Sequence, residues 1–290
     1  MLNLQLERAA SFIASRQDAD GYWRDYRLEP GQSEAWTTAC VGFALFHVAG
    51  SCMEVDKAAR ILLSTKRPDG WGYNSRTPCD ADTTSWVIRF LSAMGAMEGI
   101  DSANLLSNYL THSGRVRTFP SSDHFGSWGQ EHDEVAPLAG MALFSSGELN
   151  LAEKLRQGVL NRASWKPFWW RCYSYVCAQS LEFLSLSGGI PNEIKKREAS
   201  ILACLSHSPS SAFDLAQRLS ATVYLDGDMQ CCALLDAQEK DGGWPPSSEL
   251  LLHGQRDEFG GEPNADERRL MSTAMSMLAL LKRKKGSIFA

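Results

Sequence analysis

Repeated glycine-tryptophan segments constrain the fold of this chain more than any other feature. Four versions of one pattern occur, RQDADGYW at 16–23, KRPDGWGY at 66–73, SDHFGSWG at 122–129 and AQEKDGGW at 237–244. The first and last share the strict spacing Q-x-x-x-G-x-W. Repeats at such intervals are typical of folds in which one supersecondary unit recurs. The last interval is about twice the others, which predicts a degenerate copy near residue 186, within LSLSGGIPNE.

Between the repeats, apolar residues recur at helical spacing and almost nothing alternates as a strand would. We predict twelve helices, at 2–16, 33–50, 53–66, 80–97, 101–113, 132–146, 149–163, 168–187, 191–206, 211–224, 228–239 and 266–283. The even-numbered helices are apolar nearly all round and the odd-numbered ones amphipathic, which indicates alternating inner and outer positions. The sequence therefore predicts an all-α fold, a single α6–α6 toroid (α/α barrel) with six inner and six outer helices over 1–290. The repeat tryptophans Trp23, Trp71, Trp128 and Trp244 are predicted to be structural, each packing its turn over the neighbouring helix.

Charge and composition exclude several classes of function. A formal net charge of -5 and 44% hydrophobic residues indicate a globular chain and argue against a nucleic-acid partner. The one basic run, LKRKKG at 281–286, is read as a solvated helix end and is compatible with weak attraction to an anionic membrane surface. Glu7 and Arg8 lie where a signal peptide would have its apolar block, no stretch approaches 18 apolar residues, and the eight cysteines form no C-x-x-C pair. We expect a cytoplasmic protein.

The inner helices of such a barrel run parallel, so their first turns should gather at one mouth of a central cavity. Those first turns carry acids and aromatic residues in alternation. The head of the fourth helix reads DADTTSW, with Asp80 and Asp82 before an apolar run. The aromatic candidates for a cavity wall are Trp36, Trp86, Trp169, Trp170, Tyr173, Tyr175 and Phe213.

These motifs resemble those of the squalene-hopene cyclase and class II terpene cyclase superfamily. The resemblance lies in the Q-x-x-x-G-x-W repeats, the helical toroid and the Asp-x-Asp-x-Thr helix head, and at the level of the fold it includes protein prenyltransferase β-subunits. Family members usually carry Asp-x-Asp-Asp-Thr-Ala, whose middle aspartate protonates an alkene or epoxide. That position is Asp82 here, Asp80 precedes it, and Thr83 stands where the last aspartate is expected, as also happens in oxidosqualene cyclases. The length resembles the monodomain cyclases of prenylated aromatic, or meroterpenoid, substrates.

The residues themselves support two interpretations of Asp82. Protonating a carbon–carbon double bond requires a neutral carboxylic acid in a dry pocket, and burial together with the charge of Asp80 would favour the protonated form. Alternatively, Asp80 is an ordinary N-cap and Asp82 an ordinary first-turn acid. His132 is a third candidate, able to hydrogen-bond the acid or resupply its proton, or else a partly exposed residue at a helix start. Glu131, Asp133 and Glu134 are interpreted as caps of that helix.

Aromatic faces stabilise a carbocation without reacting with it, which is the role expected of the aromatic candidates. Trp169 and Trp170 are not both expected to face the lumen, because consecutive helical residues point in different directions. We expect no metal and no cofactor. A zinc site built from Cys79, Asp80 and Asp82 with His124 or His132 remains an alternative.

Three functions remain open. The first is a class II-type cyclase acting on a hydrophobic isoprenoid or prenylated small molecule. The second is another toroid enzyme, either a glycosidase or lyase using two rim carboxylates or a zinc prenyltransferase-like protein. The third is a non-catalytic binding toroid. A deep apolar cavity would favour the first, a polar cleft the second, and a plugged lumen the third.

Overall fold

The computed structural model describes residues 2–120, 122–205, 209–225, 227, 231–254 and 261–285. Over these residues it confirms the all-α toroid and the twelve helices, although several are shorter than predicted, the fifth by about half. Residue 206 of the predicted ninth helix and residues 228–230 of the eleventh lie outside the described residues. The six inner helices are α2 (Ala35–Ala49), α4 (Ala81–Ala93), α7 (Val135–Ser145), α9 (Tyr173–Leu186), α11 (Ala212–Tyr224) and α13 (Leu270–Lys285). The six outer helices are α1 (Leu2–Ala14), α3 (Met53–Ser64), α5 (Ser102–Ser107), α8 (Leu149–Leu160), α10 (Asn192–Cys204) and α12 (Cys232–Asp236).

Three kinds of short element were not predicted. The connection between α5 and α7 contains the four-residue helix α6 (Ser122–Phe125), followed by a 3-10 turn, Gly126–Gly129. Two antiparallel hairpins also occur, β1 (Arg27–Leu28) with β2 (Gly31–Gln32) and β3 (Leu250–Leu252) with β4 (Glu262–Asn264). None of the described helices combines the length and apolar character needed to cross a membrane.

The inner helices form a closed ring. Each packs against the next in the order α2, α4, α7, α9, α11 and α13, and α13 returns to α2. Their sequences explain this, because α2 and α7 are buried along nearly their whole length. The outer helices α1, α3 and α8 bury one face only, as their amphipathic sequences predict.

The glycine-tryptophan turns join an outer helix to the next inner helix. At Trp23, Trp71 and Trp244 the indole N–H donates to a carbonyl near the end of the preceding outer helix, at 2.9, 2.8 and 2.7 Å. The backbone N–H of each donates to a threonine hydroxyl of the following inner helix, at 2.9, 3.1 and 3.1 Å. The three tryptophans are therefore equivalent structural anchors, as predicted.

The structure corrects the remaining two repeat predictions. Trp128 donates its indole N–H to the carbonyl of His253 at 2.8 Å, so it contacts the β3–β4 hairpin region instead of an outer-helix end. The fourth anchor is Trp165, which is buried and donates to the carbonyl of Val159 at the end of α8 at 3.2 Å. Residue 186 ends an inner helix, whereas the repeat turns follow outer helices, so no copy of the motif occurs there.

A buried ionic cluster joins three inner helices near their carboxyl ends. Glu182 of α9 accepts from Arg89 of α4 at 3.0 Å and from Lys282 of α13. All three side chains are at least 95% buried. Lys282 is thus not part of a solvated helix end, contrary to prediction. Because carboxyl-terminal halves meet here, the amino-terminal ends of these helices lie together at the other end of the barrel.

Candidate active site

A cavity of about 720 Å³ lies at the amino-terminal end of the inner helices. It extends from the buried heads of α2 and α4 to exposed residues of both hairpins, including Glu29 and Glu262. Most of its wall is apolar or aromatic. The lining residues are Leu28, Glu29, Pro30, Trp36, Tyr73, Thr77, Asp80, Asp82, Thr83, Thr118, Phe119, Trp128, Trp169, Trp170, Leu250, Leu251, Leu252, His253, Gly254 and Glu262.

Asp82 lies on the second residue of α4 and lines this cavity. Burial raises the pKa of its carboxyl well above the usual range, and the nearby charges of Asp80 and Glu134 raise it further. The Trp36 indole opposes this by favouring the anion, although its N–H makes no hydrogen bond of normal geometry with a described residue. No described side chain donates such a bond to Asp82 either. These surroundings, a partly buried position on an apolar cavity wall beside two other acids, therefore favour the protonated form of Asp82.

Asp80 is the N-cap of α4. Its Oδ1 accepts from the backbone N–H of Thr83 at 2.7 Å, and its Oδ2 accepts from the Thr83 hydroxyl at 2.8 Å. Burial raises the pKa of Asp80 to about 6, against the lowering effect of these bonds. Asp80 thus caps the helix, and Thr83 is the residue that orients it.

His132 lies behind the cavity wall. Its Nδ1 shares a 2.7 Å hydrogen bond with the hydroxyl of Thr118, its ring stacks on Phe168 with centroids 4.0 Å apart, and it is not a lining residue. Burial lowers the pKa of His132 to about 3, so the ring is neutral at physiological pH. Since Nε2 has no partner among the described residues, neither ring nitrogen bonds Asp82. The predicted contact with the acid and the predicted exposure are both absent.

The acidic residues beside His132 do not cap α7 through their side chains. Glu131 pairs with Arg115, and Asp133 accepts from Arg162 Nε at 2.6 Å and from the Lys166 amide. The Glu134 carboxyl instead accepts hydrogen bonds from the backbone amides of Phe168 and Trp169, in the segment before α9. Glu134 does occupy the N-cap position of α7, as predicted, but none of the three acids caps the helix through its side chain.

Trp36, Trp169 and Trp170 line the cavity as predicted. The prediction that Trp169 and Trp170 would not both face the lumen is wrong. It assumed that both lie in a helix, but α9 begins only at Tyr173 and both tryptophans precede it. That segment pairs with the second hairpin, where Leu251 donates its N–H to the Trp169 carbonyl at 2.8 Å. Helical geometry therefore does not apply to Trp169 and Trp170.

The other aromatic candidates lie outside the wall. Tyr175 and Phe213 stack on Trp170 from behind, with ring centroids 4.4 and 4.6 Å from it. Trp86 is buried deeper in the barrel, beneath Arg89. Tyr173 donates its hydroxyl to Glu198 of outer helix α10, so its predicted place in the wall is wrong.

Sequence reasoning missed several aromatic and aliphatic lining residues. Phe119 stacks on Trp128, whose ring lies 5.8 Å from that of Trp169. Tyr73 lies 6.2 Å from Trp36 and follows the repeat anchor Trp71 by two residues. The sequence WGY could have predicted the position of Tyr73, because the residues after each repeat tryptophan lead to the amino-terminal end of an inner helix. Leu250–Leu252 gave no such signal.

Metal-binding groups were also sought. Within the described part of the chain, no set of three or more His, Cys, Asp or Glu side chains is arranged to hold a metal ion. The zinc set considered from the sequence does not assemble there: His132 binds Thr118, and Asp80 caps α4.

The fold closely resembles solved structures of type II terpene cyclases. A variant of MstE from Scytonema, in complex with its substrate geranylgeranyl dihydroxybenzoate, has a TM-score of 0.80 and 19% sequence identity, with 97% of each chain covered. A protein from Actinoplanes has a TM-score of 0.82 and 23% identity over 98% of this chain and 100% of its own. Identities of this size show a common fold.

More distant toroids are also similar. An unsaturated glucuronyl hydrolase specific for heparin has a TM-score of 0.60 and 12% identity, with 98% of each chain covered. No protein-family model matches the sequence, and a search of curated proteins finds no match.

Proposed function

We propose that this protein is a class II-type terpenoid cyclase that protonates an isoprenoid or prenylated aromatic substrate and so starts its cyclisation. The observation that carries the proposal is Asp82, a partly buried carboxyl on the wall of an aromatic cavity, whose pKa is raised by desolvation and by neighbouring acids. Such an acid donates its proton to a carbon–carbon double bond. The largely apolar and aromatic wall disfavours the water that would otherwise compete for the resulting cation.

Each step then has a residue to support it. The Asp82 hydroxyl gives its proton to one alkene carbon, and the other alkene carbon becomes the cation that the next double bond attacks. The faces of Trp36 and Trp170 stabilise that positive charge. The carboxylate left on Asp82 is stabilised by the first turn of α4 and by the nearby Trp36 indole.

The alternative of a hydrolase on the same toroid has less support. Glycoside hydrolysis uses a pair of carboxyl groups on opposite sides of a polar sugar. Here Asp80 is engaged in capping, and the wall around Asp82 is aromatic and aliphatic. The likeness to a glucuronyl hydrolase therefore supports the fold and not that chemistry.

The volume of the cavity and the charges of its lining residues limit the size and the head group of the substrate. At roughly 30 Å³ for each non-hydrogen atom, 720 Å³ holds about 24 atoms, which fits a C15 chain with one ring, about 21 carbon atoms, better than a C20 chain with one ring, about 26. The charged lining residues that the structure describes are all acids, and Glu29 and Glu262 stand at the exposed end. A neutral phenolic head group fits this mouth better than a diphosphate.

We therefore expect farnesyl hydroquinone to be cyclised at least about tenfold faster, in kcat/KM, than farnesyl diphosphate. Product formation is followed by chromatography with mass spectrometry, with and without EDTA. Glu29→Gln combined with Glu262→Gln should reduce the preference. Faster turnover of the diphosphate by the unaltered protein would contradict this head-group assignment, and absence of cyclic product from every prenylated probe would contradict the proposed function.

A further inference from the structure

We propose that Glu134 is a positioning residue with two tasks: it holds the aromatic wall in place, and its negative charge keeps the proton on Asp82. The catalytic consequence rests on the proposed function, but the electrostatic link between the two carboxyl groups does not. Glu134 is on α7, whereas Asp82 is on the adjacent inner helix α4.

The first task follows from the hydrogen bonds of Glu134. Its Oε1 accepts from the backbone N–H of Phe168 at 2.7 Å and from that of Trp169 at 2.6 Å. These amides belong to the extended segment that presents Trp169 and Trp170 to the cavity. One buried oxygen atom therefore fixes the backbone of the wall, since backbone amides buried without an acceptor are costly.

The second task follows from the other oxygen and from the surrounding charges. Glu134 Oε2 is buried and has no hydrogen-bond partner among the described residues. Burial raises the pKa of Glu134 to about 7, and the two amides that donate to Oε1 favour its anion. Glu134 therefore becomes ionised as the pH rises through about 7, and its charge then opposes the ionisation of Asp82, as in other coupled carboxyl pairs.

The other groups near Asp82 differ in whether they carry a charge that affects its pKa. Cys40 on α2 and Tyr175 on α9 both interact with Asp82, and burial raises the pKa of each, so both are neutral at physiological pH. Trp36 on α2 is uncharged and favours the anion. Asp80, on the same helix as Asp82, is the remaining anion. Glu134 is thus the acidic neighbour of Asp82 that another helix contributes.

Glutamine separates the two tasks. Glu134→Gln keeps an oxygen that accepts from both amides, so the wall is retained, but it removes the charge. Asp133→Asn is the matched control, because Asp133 is the preceding residue, its carboxyl binds Arg162 and the Lys166 amide, and it is not among the groups that shift the pKa of Asp82. A purely structural role of this helix head would affect both variants alike.

The test is a direct titration of Asp82 by NMR in protein labelled with ¹³C at the aspartate carboxyls, with the Asp82 signal assigned by its loss in Asp82→Asn. We expect the titration midpoint of Asp82 to fall by about one pH unit or more in Glu134→Gln and to stay unchanged in Asp133→Asn. An unchanged midpoint in Glu134→Gln overturns the proposal. Glu134→Ala removes the same charge, so it should give the same fall if the glutamine variant does not fold.

No substrate is needed for this titration, so its outcome is independent of whether cyclisation is observed. With a substrate in hand, the alkaline limb of the kcat/KM profile should move to lower pH in Glu134→Gln by the same amount. A uniform loss of activity without that movement would leave Glu134 with the structural task alone and overturn the electrostatic one.

Discussion

Asp82→Asn is expected to fold normally and to lose cyclisation by at least about a hundredfold, the lower range for loss of a general acid. Asparagine keeps the size of the side chain, and no described residue makes a normal hydrogen bond to Asp82 that the change would break. It cannot, however, donate an acidic proton to an alkene. The rate is measured as product formed per enzyme in single turnovers, which excludes effects on product release.

The matched control is Asp80→Asn. Asparagine is an effective N-cap, and the Thr83 hydroxyl can rotate to accept from the new amide, so α4 keeps its first turn. We expect a smaller loss than for Asp82→Asn, because Asp80 acts on Asp82 only through its charge. Equal losses in the two variants would indicate damage to the helix head, and full activity of Asp82→Asn would remove the acid from the mechanism.

Glu182→Gln should destabilise the fold by about 3–5 kcal/mol, the usual cost of removing one partner from a buried ion pair. The carboxylate of Glu182 receives hydrogen bonds from Arg89 and Lys282, and all three groups are buried. Glutamine removes the negative charge that both cations bind in the barrel. The change is measured as the free energy of unfolding in urea.

Glu153→Gln is the control for this measurement. Its carboxylate is 52% exposed and lies 3.7 Å from Arg156 on the outer helix α8. Exposed pairs contribute little, so a change within about 0.5 kcal/mol is expected. If the free energy of unfolding falls by as little in Glu182→Gln, then water or a local rearrangement compensates the buried charges. The ionic cluster would then not stabilise the packing of the three inner helices.

The ring of helices could be predicted from the sequence, because the burial of each helix determines its hydrophobic pattern. That pattern in turn shows whether the helix is an inner or an outer one. Inner helices such as α2 and α7 are enclosed on every side, so they are apolar all round, whereas α3 and α8 face water on one side. The anchors Trp23, Trp71 and Trp244 were also predictable, because each turn repeats the same hydrogen bonds.

The cavity wall was harder to predict, because much of it lies in connections whose geometry has no period. Trp169 and Trp170 line the cavity together since they precede α9, and Trp128 joins them since its turn is followed by an irregular segment. Tyr173 faces outward because Glu198 on α10 accepts its hydroxyl. No local pattern identifies such a partner, which lies on another helix.

The second hairpin shows the same limit. Leu250–Leu252 supply an aliphatic part of the wall, and their position depends on pairing with the segment around Trp170, far away in the chain. For Asp82, the sequence could predict only that its pKa is raised. Asp80 was visible in the sequence as a neighbouring charge, but Glu134 acts across two helices, and its contribution required the packing of α4 against α7.

Incubation in heavy water tests the central claim, that Asp82 protonates a carbon atom of the substrate. A product formed from an alkene substrate should carry one deuterium on carbon at the isoprenoid terminus, and this label should survive return to ordinary water. Mass spectrometry gives the count and ²H NMR gives the position. A cyclic product without that deuterium, or the same labelled product formed at full rate by Asp82→Asn, would contradict protonation by this residue.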